Sequence, residues 1–428
     1  KQIRTRRSPA SAEMRQTLSG IMAFDGGNGK ASIHRLDTKS NLHRRVIPHA
    51  KTRVTGKRIK LSWGRTVEVD YADFAGNRFG YGDSIWDLAG DYEIDVFQNT
   101  RERYGTEDHV SYSLILMAEL GLPDGEYSIV VSVPPGLFDT VEQQVIAGFQ
   151  RGNAITKPVT AKSKTTNETI YDGWWEISLS KDIDKGGNQP VRRYKFNRVV
   201  VLPEGWVGWA AYRFDLDGNV IDLPGVDGQD LLAGVCEIGD AGFGTFDSPI
   251  LRDGSLVTDN LNRVTDANGG VGARLCQPIL DKILESVPDA NLTLAHVDKF
   301  LRDYATGKGG VDPANIKPWS AEAATVVVLG KSLKLKAVFD HHIKNYATWM
   351  WQSKITPAIR RNTDVYLADG GGWLYTIDSI RTWADGKIVL LTPDDVDHLK
   401  KYNYFELNGI GMLAFAAANI REHMMPEE

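Results

Sequence analysis

Three glycine-rich turns follow apolar, strand-like runs in this sequence, at residues 25–29, 240–247 and 369–372. Glycines let backbone N–H groups approach a phosphate closely and adopt positive φ. Asp25 and Asp240 begin two of the turns, and they are too close to such a phosphate to bind it directly. They are predicted to hold Mg2+ through water, since Mg2+ prefers oxygen ligands and keeps several waters. The pattern predicts that turns from two lobes grip a triphosphate.

Other motifs for nucleotide, metal or nucleophile chemistry do not match. A P-loop is excluded because Ala31 stands where a Ser or Thr must bind Mg2+. A calcium loop near residue 215 is excluded because Val226 stands where a Glu is required. The adjacent histidines at 341 and 342 point to different faces of a predicted helix, which favours a structural or surface role over metal binding. The sequence contains no Gly-x-Ser-x-Gly elbow, so an α/β-hydrolase has no support.

Strand-like and helix-like segments alternate around these turns, which predicts a two-lobed α/β fold with the turns meeting in one cleft. Strands are predicted at 21–24, 31–36, 127–133, 198–202, 231–238, 365–368 and 387–391. Helices are predicted at 112–120, 141–149, 206–214, 270–284, 294–304, 321–360 and 405–420. Residues 151–197 are predicted to form a hairpin with a long loop.

The composition is that of an ordinary water-soluble globular protein, with 42% hydrophobic and 25% charged residues in 428. At roughly 100–200 residues per domain, this length predicts two or more domains or lobes. The net charge of −5 argues against a dedicated nucleic-acid coat. The 2 cysteines exclude a disulfide scaffold and fit a reducing cytoplasm. No apolar run reaches the roughly 18–20 residues of a membrane span.

Five motifs in order along the chain resemble the signature of one superfamily. Residues 24–29 (FDGGNG) and 240–247 (DAGFGTFD) resemble the two phosphate loops of the actin, heat-shock-chaperone and sugar-kinase superfamily. Residues 367–372 (LADGGG) are similar to its adenosine motif, and 201–205 and 408–413 resemble its two connecting segments. The motifs span nearly the whole chain.

Within this superfamily, the sequence looks most like the bacterial and archaeal actin-like proteins of the ParM type, which segregate plasmids. The resemblance implies an actin-like ATPase fold of two ribonuclease H-like halves with a nucleotide cleft between them. Lobe I is expected over 21–205, with a smaller subdomain at about 43–125, and lobe II over 206–406. A C-terminal helix at 407–428 is expected to return to lobe I, and residues 1–20 are predicted to be a disordered basic tail.

The resemblance also implies the chemistry of each turn. Glu204 is implied to orient or deprotonate the attacking water, Asp240 to orient water and Mg2+, and Asp25 to lie near Mg2+. The implied nucleotide is ATP, with GTP as the alternative. Nucleotide and phosphate contacts are implied for Asp25, Gly26, Gly27, Asn28, Gly29, Lys30, Gly242, Phe243, Gly244, Thr245, Gly370, Gly371, Gly372 and Trp373.

The sequence departs from the family at specific positions. The family often has a lysine seven residues after the first aspartate, and here that position is Ser32. Trp373, directly after the third turn, either closes over the base or packs in the core. The segment at 151–190 is longer than expected and could carry filament contacts.

The expected partner is a second copy of the chain in a head-to-tail filament, together with a DNA-binding adaptor. Direct nucleic-acid binding is expected only through the basic tail, and the expected location is the cytoplasm. One alternative is a sugar-type kinase of the same superfamily, with Asp247 as its base. Another alternative is a non-catalytic nucleotide-binding scaffold. A chaperone would need a further C-terminal domain.

Overall fold

The computed structural model describes residues 8–27, 29–62, 64–88, 91–97, 100–153, 172–184, 187–223, 225, 229–257, 265–307 and 316–424. Within these ranges the chain divides into two compact units. The first unit contains residues 8–203, 216–219 and 412–424, and the second contains 204–215 and 220–411. Both units combine helices with β-sheet, so the predicted α/β class is confirmed.

The first unit is built on a ten-stranded sheet, in the order β3-β2-β1-β10-β12-β11-β7-β8-β4-β9 among the described residues. The strands of this unit are β1 (Ile21–Asp25), β2 (Lys30–Leu36), β3 (Leu42–Pro48), β4 (Ala50–Arg53), β5 (Arg58–Lys60), β6 (Thr66–Glu68), β7 (Asp70–Phe74), β8 (Asn77–Tyr81), β9 (Asp95–Val96), β10 (Gly125–Val133), β11 (Trp174–Leu179) and β12 (Arg192–Pro203). Strands β5 and β6 form a separate hairpin. The helices are α1 (Ala12–Leu18), α2 (Glu107–Glu119) and α3 (Phe138–Arg151).

Strands β1, β10 and β12 run parallel at the centre of this sheet, and their apolar side chains are buried with α2 and α3 in one core. Helix α2 begins at a capping residue, because the Thr106 hydroxyl accepts a hydrogen bond from the His109 N–H at 3.4 Å. Strands β11 and β12 pair antiparallel, which confirms the predicted hairpin at 151–197. Residues 154–171 of its predicted long loop lie outside the described ranges.

The predicted disorder of residues 1–20 is wrong for part of that segment. Residues 12–18 form helix α1, and the hydroxyl of Ser11 caps it by accepting from the Met14 N–H at 3.1 Å. Met14 and Leu18, four residues apart on one face, are 3% and 1% exposed. This burial of one apolar face stabilises a helix that the basic composition obscured. Residues 1–7 lie outside the described ranges.

The second unit contains a seven-stranded sheet in which β13 pairs with β14 and β15 on one side and β20 on the other. The strands of the whole second unit are β13 (Val235–Ala241), β14 (Phe246–Asp247), β15 (Ile250–Arg252), β16 (Ser255–Leu256), β17 (Thr265–Asp266), β18 (Thr325–Val328), β19 (Lys331–Lys334), β20 (Val365–Asp369) and β21 (Val389–Leu391), of which β18 and β19 lie outside the seven-stranded sheet. Its helices are α4 (Trp206–Arg213), α5 (Gln277–Ser286), α6 (Leu294–Thr306), α7 (Lys336–Met350), α8 (Thr356–Arg360) and α9 (Trp373–Ala384). Helix α10 (Leu407–Met424) begins in this unit.

The helix predicted over 321–360 is wrong at its start. Strands β18 and β19 form a hairpin there, and α7 begins only at Lys336. The β-branched run 325–328 favours a strand, and Leu329 and Gly330 both adopt positive φ at the turn. The strand predicted at 231–238 begins at Val235 after a short 3-10 turn. Helix α9 was absent from the prediction.

Helices α4 and α10 are in close contact in the second unit through a glycine. A Cβ added to Gly411 would lie well inside the van der Waals radius of the Val207 carbonyl oxygen. We expect Gly411→Ala to lower the stability of the second unit by about 1–3 kcal/mol, because backbone cannot move aside as a flexible side chain can. Gly371→Ala is the matched control, since among the described residues its added methyl would meet Phe405 Cβ alone, at 3.9 Å. Calorimetry of both variants without nucleotide checks this, and equal thermal midpoints would refute the close contact.

Neither cysteine forms a disulfide: Cys236 and Cys276 are buried free thiols. In the part of the chain that the structure describes, no helix has the length and apolar character required to cross a bilayer.

Candidate functional site

The first predicted turn follows β1 at the carboxyl end of two parallel strands in the first unit. Asp25 pairs with Ser132 of β10, and the Ser132 hydroxyl donates to Asp25 Oδ1 at 3.0 Å. This bond fixes the carboxylate at the strand end, where it remains half-buried. Gly29 has a φ of 94°, so the turn into β2 requires a glycine there. Lys30 is half-buried at the start of β2, and Asn28 lies outside the described residues.

Two fully buried histidines lie directly beneath this turn. The His49 backbone N–H donates to the Gly29 carbonyl at 3.0 Å, and its Nδ1 donates to the Gly27 carbonyl at 2.9 Å. His109 Nε2 would lie 3.0 Å from a Cβ placed on Gly26. Burial lowers the pKa of both His49 and His109 to about 3, so both rings are neutral near neutral pH.

The second predicted turn follows β13 in the second unit, beside the third turn. Asp240 and Asp369 are paired across the parallel strands β13 and β20. Because both strands end at the same edge of the sheet, the turns 242–245 and 370–372 lie together, and the Gly372 N–H donates to the Ala241 carbonyl at 2.8 Å. Gly370 has a φ of 82° and fits so closely against Asp240 Oδ1 that a Cβ would overlap it. The structure therefore brings two of the three predicted turns together within this unit.

The Asp240 carboxylate is held from α10. The Asn408 side-chain amide donates to Asp240 Oδ2 at 3.3 Å, and Asp240 is only 5% exposed. Asn408 lies in the predicted second connecting segment, but no sequence motif assigns its side chain a contact with Asp240. Glu204, also 5% exposed, lies in the same unit one residue before Gly205, which has a φ of 75° and precedes α4. Both carboxylates are therefore largely shielded from bulk water.

The predicted nucleotide contact of Trp373 is wrong. Its indole is fully buried, and its Nε1–H donates to the Gly239 carbonyl at 2.6 Å. The first turn of α9 directs this side chain into the core of the second unit, where it lies against Tyr366. Of the two alternatives that the sequence left open, the structure therefore selects packing.

An exposed aromatic side chain that sequence reasoning missed lies beside the third turn. Phe405 is 39% exposed, and its Cβ would lie 3.9 Å from a Cβ on Gly371. The preceding Tyr404 accepts a hydrogen bond at its carbonyl from the Gly370 N–H at 3.3 Å, which holds this segment against the turn. Phe405 was predicted only as part of the C-terminal helix, so its position beside Gly371 had no sequence signal.

Asp247 is buried and hydrogen-bonded within the second unit. It is 1% exposed, and it accepts hydrogen bonds from the hydroxyls of Thr265 and Thr245, the latter at 2.8 Å. Burial raises its pKa to about 6. Asp247 pairs with Thr265 across β14 and β17, which links these two strands. Its carboxylate also accepts the hydrogen bond of Thr245, a residue that was predicted to contact phosphate.

The carboxylates near the turns are few enough to suit a metal that keeps most of its waters. In the described ranges, no group of three or more His, Cys, Asp or Glu side chains could hold a metal ion alone. A dedicated protein cage is therefore absent there, whereas Mg2+ is commonly bound by one or two carboxylates together with substrate phosphates. Asp25 in the first unit and Asp240 in the second unit are each a carboxylate of that kind beside a glycine-rich turn.

Comparison with solved structures identifies the fold. No protein-family model matches this sequence, and no curated protein matches it. Among solved structures, Bacillus thuringiensis ParM with AMPPNP is 16% identical and superposes with a TM-score of 0.60, covering 94% of this chain and 99% of that one. The archaeal actin homolog Ta0583 is 16% identical with a TM-score of 0.59, covering 92% and 98%. At this identity the likeness concerns the fold, and over nearly its whole length the chain has the two-lobed actin-like fold that its five motifs predicted.

Proposed function

We propose that this chain is an actin-like ATPase that assembles into filaments while bound to Mg-ATP and disassembles after hydrolysis. One observation carries the proposal: each compact unit ends a pair of parallel strands in an aspartate–glycine turn, in a chain with the actin-like fold. Turns of this type present backbone N–H groups to phosphate, and an aspartate beside such a turn can take part in binding Mg2+. The solved neighbours include ParM with ATP and with ADP, and the archaeal homolog with ADP.

In the proposed mechanism, the residues of the three turns and the carboxylates near them have separate roles. Phosphoryl transfer to water needs mainly positioning and electrostatic stabilisation. The backbone N–H groups of turns 26–29, 242–245 and 370–372 bind phosphate oxygens, and Lys30 adds a positive charge. Asp25 and Asp240 would hold Mg2+ through water, and the bound ion would supply positive charge to offset that of the phosphates. Glu204 accepts a proton from the attacking water, and Asn408 keeps Asp240 in its orientation.

Phe405 is proposed as the platform on which the nucleotide base stacks. Stacking on an aromatic ring contributes about 1–3 kcal/mol per base. We therefore expect Phe405→Ala to weaken Mg-ATP binding about 5- to 100-fold while leaving binding of inorganic tripolyphosphate, which has no base, within about twofold. Fluorescence titration with both ligands measures this difference.

Two further variants sharpen the Phe405 test. Leu329→Ala removes another exposed apolar side chain of the same unit, at 67% exposure, and should leave both affinities unchanged. Gly371→Ala adds a methyl that the fold accommodates beside Phe405, and should weaken ATP binding by intruding on the ligand. Equal loss of ATP and tripolyphosphate binding in Phe405→Ala would refute the stacking role.

The proposed assembly is a head-to-tail filament, because a heterologous contact that does not close generates an open polymer. The proposed role is plasmid or other DNA segregation in the cytoplasm, through a DNA-binding adaptor. Direct contact with nucleic acid is proposed only for the basic N-terminal segment. ATP is the proposed nucleotide and GTP the competitor to test.

Right-angle light scattering with Mg-ATP, Mg-GTP or Mg-ADP, with phosphate release followed in parallel, tests this function. Scattering should rise with the triphosphate and decay as phosphate appears. Phosphate release without assembly at tens of micromolar protein would contradict the filament and direct attention to a kinase acceptor screen. The buried, doubly hydrogen-bonded Asp247 does not favour the kinase, because its carboxylate is already engaged by two hydroxyls. Neither signal would indicate a non-catalytic scaffold.

A further inference from the structure

The first predicted turn, which follows β1, accepts two hydrogen bonds from one residue, His49. His49 lies between β3 and β4, and it contacts the turn through both its main chain and its ring. Its N–H donates to the Gly29 carbonyl, and its Nδ1 bonds the Gly27 carbonyl at 2.9 Å. A carbonyl can only accept, so Nδ1 must carry the hydrogen. Because the buried ring is neutral, Nε2 is then the unprotonated nitrogen.

The second histidine has the opposite arrangement. His109 Nδ1 accepts a hydrogen bond from the Gly105 N–H at 3.2 Å, so this nitrogen is unprotonated. In a neutral ring Nε2 must then carry the hydrogen. That N–H lies under Gly26 and is fully buried, with no hydrogen-bond partner among the described residues.

The surroundings fix both rings in place. His49 stacks on Phe97 at 4.0 Å between ring centroids, and the edge of Tyr112 meets it at 4.2 Å. His109 packs against Phe24 at 5.4 Å and Tyr104 at 5.1 Å. Aromatic neighbours hold a ring without competing for its nitrogens. This aromatic packing therefore does not compete with the contacts that His49 Nδ1 and His109 Nε2 make with the turn.

We propose that His49 and His109, in opposite tautomers, are positioning residues that keep the first turn ready to receive a phosphate. A trans peptide unit points its C=O and N–H in opposite directions, so the Gly29 carbonyl, held by the His49 N–H, turns the Lys30 amide of the same peptide unit away from His49. The N–H dipole of His109 beneath Gly26 adds positive potential under the turn. This inference rests on the proposed function for its consequence, although the tautomers themselves do not depend on nucleotide.

Nitrogen-15 NMR of the full chain with labelled histidine tests the tautomers directly. His49 should report a hydrogen on Nδ1 and His109 a hydrogen on Nε2, with assignments made from His49→Asn and His109→Gln. The same tautomer at both positions would overturn the proposal. This measurement needs no nucleotide, so its outcome stands even if the chain binds none.

A matched pair of variants tests the positioning effect on Mg-ATP. His49→Asn keeps an N–H donor near the Nδ1 position, whereas His49→Leu fills similar space without one. The loss of one buried hydrogen bond predicts about tenfold weaker binding for His49→Leu, and recovery to within about threefold of wild type for His49→Asn. His34→Leu is the control, because His34 is an equally buried histidine of β2 and neither of its ring nitrogens bonds any described residue.

The outcomes separate the two proposals. Wild-type protein that fails to bind Mg-ATP refutes the proposed function, and the NMR result alone then decides the tautomers. Wild-type protein that binds Mg-ATP equally to His49→Leu refutes the positioning role. Equal weakening in His49→Asn, His49→Leu and His34→Leu refutes it too, because it would show a general effect of removing buried histidines.

Discussion

Glu204→Gln is expected to slow phosphate release from Mg-ATP by about 10²–10⁴-fold, the range for loss of a positioned general base. Glutamine keeps the shape and hydrogen-bonding capacity of this nearly buried side chain but cannot accept the proton of the attacking water. Mg-ATP affinity should stay within about threefold of wild type, because the proposed role of Glu204 is to act on water rather than on the phosphates. Assembly should therefore still occur, and the scattering signal should persist after the wild-type signal has decayed.

The control for this variant is Glu285→Gln, since Glu285 is exposed on α5 and pairs with Lys282 in the same helix. It should hydrolyse and disassemble as wild type does. A Glu204→Gln protein with a normal rate of phosphate release would remove Glu204 from the mechanism. Loss of both assembly and nucleotide binding would instead assign it a structural role.

Lowering the pH from about 7.5 to about 5 is expected to destabilise the first unit strongly. Burial lowers the pKa of His34 to about 4, and of His49 and His109 to about 3, below the ordinary value of 6.5. The unfolded chain takes up protons below about pH 6.5 that the folded unit refuses, so stability falls as pH falls toward 3–4. Each histidine costs about 2 kcal/mol at pH 5, which together is comparable to the whole stability of a domain.

The second unit should respond in the opposite direction. Burial raises the pKa of Asp247 to about 6, above the ordinary value of 3.8. For this carboxyl the folded state binds the proton more readily, so its contribution to stability grows as pH falls from about 6 toward 4. Hydrogen exchange of peptides from β1–β2 and from β13–β14, corrected for intrinsic rates, should show lost protection in the first unit only. Retained protection of β1–β2 at about pH 5 would contradict the burial of His34, His49 and His109 as uncharged groups. Lost protection of β13–β14 would contradict the raised pKa of Asp247.

The ends of the central strands could be predicted from the sequence, because an apolar run stopping at an acid and glycines leaves few alternatives. Asp25 and Asp240 both lie at carboxyl ends of parallel strands, as that local signal indicated. Gly370 could also be predicted, since its positive φ is a property of the turn itself. These features depend on neighbours within a few residues.

The supports of the site could not be predicted, because they come from distant segments. His49 is 22 residues from the Gly27 that it contacts, and Asn408 is 168 residues from Asp240. Only tertiary packing brings these residues together. Nothing in the local sequence distinguishes His49 or Asn408 from other polar residues. The hairpin of β18 and β19 shows the reverse error, because a helical period of apolar residues predicted a helix where the chain forms two paired strands. For Trp373 the sequence left base contact and core packing open, and the burial of its side chain favours packing.

The most direct test of the central claim is a calorimetric titration of the full chain with Mg-ATP, repeated for Asp25→Asn and Asp240→Asn. If aspartate–glycine turns from both units serve one nucleotide, wild type should bind one Mg-ATP per chain. Each variant, altered in a different unit, should weaken that same binding by about tenfold or more, as expected when a charge-assisted contact is lost. Wild-type affinity in either variant, or two independent sites per chain, would contradict the account.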